Sequence, residues 1–117
     1  MMCVLMYPGF EETEMVVPVD MCRRAGIQVR IASVGGAPVA GAHGITVSAD
    51  MSTDDIRCDD FEAVFLPGGG KGVENIGADE NARAACRGSL YQTEHGRICP
   101  AAAGSFRGKC PQGHGAY

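Results

Sequence analysis

Phe61-Glu62-Ala63-Val64-Phe65-Leu66-Pro67-Gly68-Gly69-Gly70 is the stretch on which the fold turns, a nearly continuous apolar run that stops abruptly in proline and three glycines. A run of this length bounded by breakers predicts a strand buried on both faces that delivers a loop at its carboxyl end. Working outward, Cys3-Val4-Leu5-Met6-Tyr7, closed by Pro8-Gly9, has the same character and predicts the first strand. Ile27 to Val34 alternates at its start, is rich in β-branched residues and breaks at Gly35-Gly36, which predicts the second. Between these two, Glu11, Glu12 and Glu14 suit a first helical turn and Arg23, Arg24 and Gly26 suit a last one, so a helix is expected over about 11 to 25. Met15, Val19 and Cys22 form its inward stripe, and Pro18 predicts a kink or a restart. Val39-Ala40 and Ile45-Thr46-Val47 predict a small hairpin between 37 and 50. Asp79 is expected to cap a helix running to about 95, carried by Ala82, Ala85, Cys86 and Leu90 and stopped by Gly96. Strands alternating with helices indicate an α/β layer structure with a parallel sheet, whose ligands sit beyond the carboxyl ends of its strands. The functional residues are therefore expected at 7–14, 67–72 and 97–104.

Composition narrows the class. The 117 residues carry a net charge of −4, with 45% hydrophobic and 21% charged residues, which fits one globular domain. The acidic balance and the scattering of the ten Lys and Arg leave no footprint for DNA or RNA. No apolar run approaches the ~20 residues of a bilayer span, and the opening residues lack the features of a signal peptide, so a cytoplasmic protein without membrane contact is expected. None of the six cysteines forms a C-x-x-C pair, which supports neither zinc nor a disulfide framework.

Several residues carry two readings. Pro67 to Gly72 matches neither the Walker spacing nor G-x-G-x-x-G, so it reads as a turn needing positive φ or as bare backbone N–H groups aimed at developing negative charge. Glu11, Glu12 and Glu14 read most simply as solvated first-turn carboxylates, Glu11 and Glu12 more so than Glu14. Cys99, between Arg97-Ile98 and the small residues Ala101 to Gly104, reads as a core thiol or as a nucleophile at a strand-to-helix elbow. For catalysis its thiolate needs stabilising, and an acid such as Glu14 would exchange the proton. His43, His95 and His114 share no metal-ligand spacing, so no metal site is expected, and His114 is the one candidate base downstream of Cys99.

The strings Gly9-Phe-Glu-Glu-Thr-Glu14, Pro18-Val-Asp20, Arg23-Arg-Ala-Gly-Ile27, His43-Gly-Ile-Thr-Val47, Leu66-Pro-Gly-Gly69, Glu74-Asn75 and Ile98-Cys99 together resemble the ThiJ/PfpI family, specifically its Parkinson-associated protein deglycase branch. The resemblance implies a flavodoxin-like three-layer sandwich with a mainly parallel sheet, homodimers and no external cofactor. It implies a nucleophilic cysteine at Cys99, the acid that hydrogen-bonds it at Glu14, and an oxyanion-shaping loop at Gly68 and Gly69. The activities implied are hydration of methylglyoxal and glyoxal, repair of early glycation adducts on protein side chains, and peroxide sensing by cysteine oxidation.

Three features depart from the family pattern. Pro100 follows Cys99 directly, removing the N–H that an elbow offers to an oxyanion. If the preceding helix ends at Gly96, only Arg97 and Ile98 remain to cross the sheet, about 7 Å at ~3.3 Å per residue. Either the helix ends earlier, near Gly88-Ser89, or the strand is stunted, or Ala103 stands where the family has its thiol; the retained Ile-Cys pair favours Cys99. Only 18 residues follow Cys99, so the family's carboxyl-terminal third is expected to be missing, with instability or self-association as the consequence. A cysteine-dependent deglycase or glyoxalase is the expected function, against a redox-sensing or chaperone-like protein acting through Cys99 oxidation, or an inactive truncated relative.

Overall fold

A computed structural model describes residues 1–57, 60–88 and 90–92. Five strands form one parallel sheet, in the order β5-β2-β1-β6-β7. They are β1 (Met2–Leu5), β2 (Val29–Ser33), β5 (Met51–Ser52), β6 (Ala63–Phe65) and β7 (Leu90–Gln92). A separate antiparallel pair, β3 (Val39–Ala40) and β4 (Thr46–Val47), sets Val39 opposite Val47, as the hairpin reading of this segment expects. Among the described residues three α-helices pack on the sheet: α1 (Glu12–Arg24), α2 (Gly70–Ala78) and α3 (Glu80–Gly88).

β1 lies at the centre, with Met2 in register with Val29 on one side and with Ala63 on the other. Its side chains alternate between two cores, which is why its sequence is apolar throughout. Cys3, Leu5 and Tyr7 join Val64, Leu66, Ile76, Ala82 and Ala85 under α2 and α3. Val4 and Met6 join Phe10, Met15, Val19, Ile31 and Phe65 under α1. Each buried Val, Leu, Ile, Met or Phe among these contributes about 1.5–3 kcal/mol of transfer free energy, and the sheet is covered on both faces as a parallel sheet requires.

α1 keeps the expected inward stripe, with Met15 and Val19 buried and Cys22 packed against the same core. It does not restart at Pro18: one run of 13 residues continues through it. Proline removes one helical N–H donor, and burial of Met15 and Val19 holds the turns on either side. The helix ends in a Schellman arrangement, the Gly26 N–H donating to the Arg23 carbonyl and the Ile27 N–H to that of Cys22, with Gly26 at φ 80.

Two expectations are corrected. The helix capped at Asp79 does not reach residue 95: α3 stops at Gly88, and Leu90, read as part of its apolar stripe, pairs with Ala63 in β7. Backbone pairing along the β6 edge satisfies the 90–92 segment, so of the alternatives the earlier helix end holds, at Gly88. The 67–72 segment is not loop throughout, because Gly70 opens α2 and Lys71 and Gly72 lie within it. Its glycines hid the helix. A Cβ at Gly72 would come within 3.0 Å of the Phe10 backbone, so close packing sets that residue, while Val73 and Ile76 supply the buried face. The short edge strand β5 carried no sequence signal.

Candidate functional site

The strand order reverses between β1 and β6, and the chain leaves the carboxyl ends of both strands there. Such a switch point opens the crevice in which ligands of parallel sheets bind. Tyr7 to Phe10 leads from β1 into the first turn of α1, and Leu66 to Gly69 leads from β6 into α2. Two bonds stitch these segments together. The Glu11 N–H donates to the Gly68 carbonyl at 2.9 Å, and the Gly68 N–H donates to Glu14 Oε2 at 2.6 Å. A Cβ on Gly68 would stand 2.0 Å from Glu14 Oε2, so the carboxylate occupies the space a side chain would take. Gly69 has φ 101, and a Cβ there would meet the Gly9 carbonyl oxygen at 2.4 Å. Only glycine fits either position.

The expected segments 7–14 and 67–72 therefore meet, bringing Glu14, Gly68 and Gly69 together. Glu14 is half-buried rather than solvated, and a short charge-assisted hydrogen bond fixes its carboxylate. The Gly68 amide is directed at that acid. Cys99, with Pro100, Ala103, His95 and His114, lies outside the described residues, as does the 97–104 segment. Of the other cysteines, Cys3 and Cys22 are free thiols; burial pushes the Cys3 thiol up to about 12, which makes it inert as a nucleophile.

Glu12 corrects another expectation. It is 5% exposed rather than solvated, because the loop joining β3 to β4 folds over it. The His43 backbone N–H donates to Glu12 Oε1 at 2.6 Å, and His43 Nδ1 lies 2.9 Å from Oε2. A Cβ on Gly41 would fall 2.2 Å from Glu12 Oε1, so the loop closes tightly over the carboxylate. Burial opposes the charged form of Glu12, yet the hydrogen bonds and charge of His43 outweigh it and hold the carboxyl below its ordinary range. His43 is raised in turn, first by its hydrogen bond to Glu12 and then by the charges of Glu11 and Glu12. Linear spacing concealed this cluster, since 31 residues separate Glu12 from His43. On the opposite side of the sheet, Tyr7 Oη donates to Asp79 Oδ2 at 2.5 Å and ties the end of β1 to the start of α3. Asp79 Oδ1 accepts the Asn81 N–H, confirming Asp79 as the cap.

No helix among the described residues is long and apolar enough to cross a membrane. Comparison with known proteins agrees with this architecture. The chain is 35% identical over 81 residues to Deglycase TK1284 of Thermococcus kodakarensis, a match covering 69% of this chain and 48% of the relative. It is 39% identical over 75 residues to the Parkinson disease protein 7 homolog of Danio rerio, covering 62% and 40%. The crystal structure of Drosophila melanogaster DJ-1beta superposes with a TM-score of 0.77 at 31% identity, over 89% of this chain and 56% of that one. The chain thus spans less than half the length of these curated relatives. Its fold is the flavodoxin-like one that the sequence motifs imply, and the family model described as DJ-1/PfpI matches residues 1–105. The flavodoxin-like sheet, the crossed bonds at its switch point and this match over most of the sequence establish that the chain belongs to the DJ-1/PfpI family.

Proposed function

We propose that this chain carries the catalytic acid and oxyanion loop of a cysteine-dependent deglycase and glyoxalase acting on methylglyoxal, glyoxal or early glycation adducts. The observation that supports this reading is the Glu14 carboxylate held 2.6 Å from the Gly68 amide at the switch point. In the proposed reaction the Cys99 thiol passes its proton to Glu14, and the thiolate attacks the aldehyde carbon. The carbonyl π pair moves onto oxygen, giving a hemithioacetal oxyanion. Gly68 spends its N–H on the acid, so the role at the oxyanion falls to Gly69, whose bare backbone immediately precedes α2. Glu14 then returns the proton to that oxygen; for methylglyoxal, moving the hydrogen of the attacked carbon to the neighbouring carbonyl carbon leaves a thioester, and water hydrolyses its C–S bond to release lactate and the Cys99 thiol. The fixed acid is what the mechanism needs, because a carboxylate whose position is set by the backbone cannot swing away between proton transfers. No external cofactor enters the scheme.

A homodimer in the cytoplasm belongs to the same reading. Val17 and Met21, one helical turn apart on α1, are 50% and 64% exposed, and together with Val16 they form an apolar strip turned away from the core. Lactate formation from methylglyoxal tests the chemistry. Cys99→Ser and Glu14→Gln are each expected to lower the rate by about 10²-fold or more, the scale of general acid–base and nucleophilic contributions. A Cys99→Ser variant as active as the parent chain would overturn the assignment.

A further inference from the structure

The Glu11, Glu12 and His43 group lies beside the proposed site but faces the β3–β4 loop, and nothing in the proposed chemistry uses it. Glu12 Oε2 lies 2.9 Å and Glu11 Oε2 3.5 Å from His43 Nδ1, and one donor atom of each residue falls within 4.8 Å of the others. Bonds of about 2.0–2.2 Å from zinc to nitrogen and oxygen imply donor separations of roughly 3.3–3.5 Å around a tetrahedral ion; the two distances to His43 Nδ1, 2.9 and 3.5 Å, bracket that spacing, and rotation of the more exposed Glu11 side chain sets the third. The other oxygen of Glu12 is already fixed by the His43 N–H at 2.6 Å, which orients Oε2 toward the imidazole.

Charge provides a separate argument. Among the described residues, His43 is the sole ion-pair partner of either glutamate. Two carboxylates thus face one imidazole, which leaves one negative charge uncompensated when the ring is protonated and two when it is neutral. The first amides of α1 offset about half a charge. A divalent ion on a neutral ring would balance both carboxylates, the buried Glu12 that His43 already pairs and Glu11, whose side chain is 27% exposed. The donor set of one imidazole nitrogen and two carboxylate oxygens suits a borderline first-row ion better than calcium or magnesium, which favour oxygen alone. His43 is 68% exposed, so the ion would be reached from solvent and keep a position for water or a ligand.

We propose that Glu11, Glu12 and His43 form a three-ligand site for a divalent cation of the zinc class. The test is titration of the chelator-treated full chain with zinc chloride against a competing indicator, followed by cobalt(II) spectroscopy. Wild type is expected to bind one equivalent at this site, to gain thermal stability on binding, and to show cobalt d–d bands without thiolate charge transfer. His43→Gln keeps the backbone N–H bond to Glu12 but removes the ring that pairs with this buried carboxylate, so its own zinc-free Tm is the baseline for any zinc-dependent rise. It should bind at least about tenfold more weakly and lose the zinc-dependent rise in Tm. Glu11→Gln provides a second variant outside the core and should also weaken binding. Unchanged zinc affinity in both variants would overturn the proposal, as would a cobalt spectrum dominated by thiolate bands that persists in His43→Gln. Because Cys99 plays no part in this readout, failure here is distinguishable from failure of the deglycase reading.

Discussion

At Gly68 a missing side chain does two things at once. Its amide donates to Glu14 and its carbonyl accepts from Glu11, while the absent Cβ leaves room for the carboxylate. Gly68→Ala is expected to destabilise the protein by about 1–3 kcal/mol, the usual penalty for overpacking, and to displace the acid. Denaturant titration and methylglyoxal turnover should fall together in this variant. Full stability with alanine in place would show that Glu14 can move aside. The sequence marks Glu14 as a candidate, but its contact with the Gly68 amide is not legible there, since 54 residues separate the two. The burial of Glu12 is hidden from the sequence for a related reason. A first-turn glutamate is usually solvated, and only the arrival of the distant His43 loop makes its burial tolerable.

At the level of elements, α1 illustrates how much a single periodicity specifies. Met15, Val19 and Cys22 mark the buried face, and the Arg23-Arg24-Ala25-Gly26 ending predicts its terminus to within a residue. The same periodicity leaves Val17 and Met21 outward. Met21→Glu is expected to convert a dimer into a monomer without unfolding it, read as a halved molar mass by light scattering with an unchanged far-UV circular dichroism spectrum. A parent chain that is already monomeric would remove the α1 dimer from the proposal. α2 and the end of α3 were less legible. Gly70, Gly72 and Gly77 lower the intrinsic helix propensity of α2 by about 1 kcal/mol each relative to alanine, so its stability comes from packing that the sequence does not display. Leu90 fits either a helical stripe or a strand. The open edge of β6 decided for the strand.

Across the whole molecule, the sheet is organised around β1, whose residues supply both cores. Cys3 lies in that strand with no exposed surface, and its thiol is pushed up to about 12 by burial. Its alkylation therefore requires opening of the central strand rather than a local fluctuation. With iodoacetamide and peptide mass mapping, Cys3 is expected to react about a hundredfold or more slowly than the half-buried Cys22 under native conditions. The two should converge in denaturant. Equal native rates would mean that the sheet opens far more readily than its two-sided burial implies.

The sequence by itself determined the α/β class, the three strands β1, β2 and β6, α1 with its glycine terminus and inward face, the Asp79 cap of α3, the small hairpin and the family. Each of these depends on local patterns: apolar runs, a period near 3.6, breakers and a set of short motifs. Tertiary structure decided which residues meet across long separations. It set Glu14 against the Gly68 amide, folded His43 over Glu12, and assigned 90–92 to a strand. Those outcomes follow from burial, from backbone pairing and from the compensation of charge between segments far apart in the chain, and none of these is a property of any one stretch of residues.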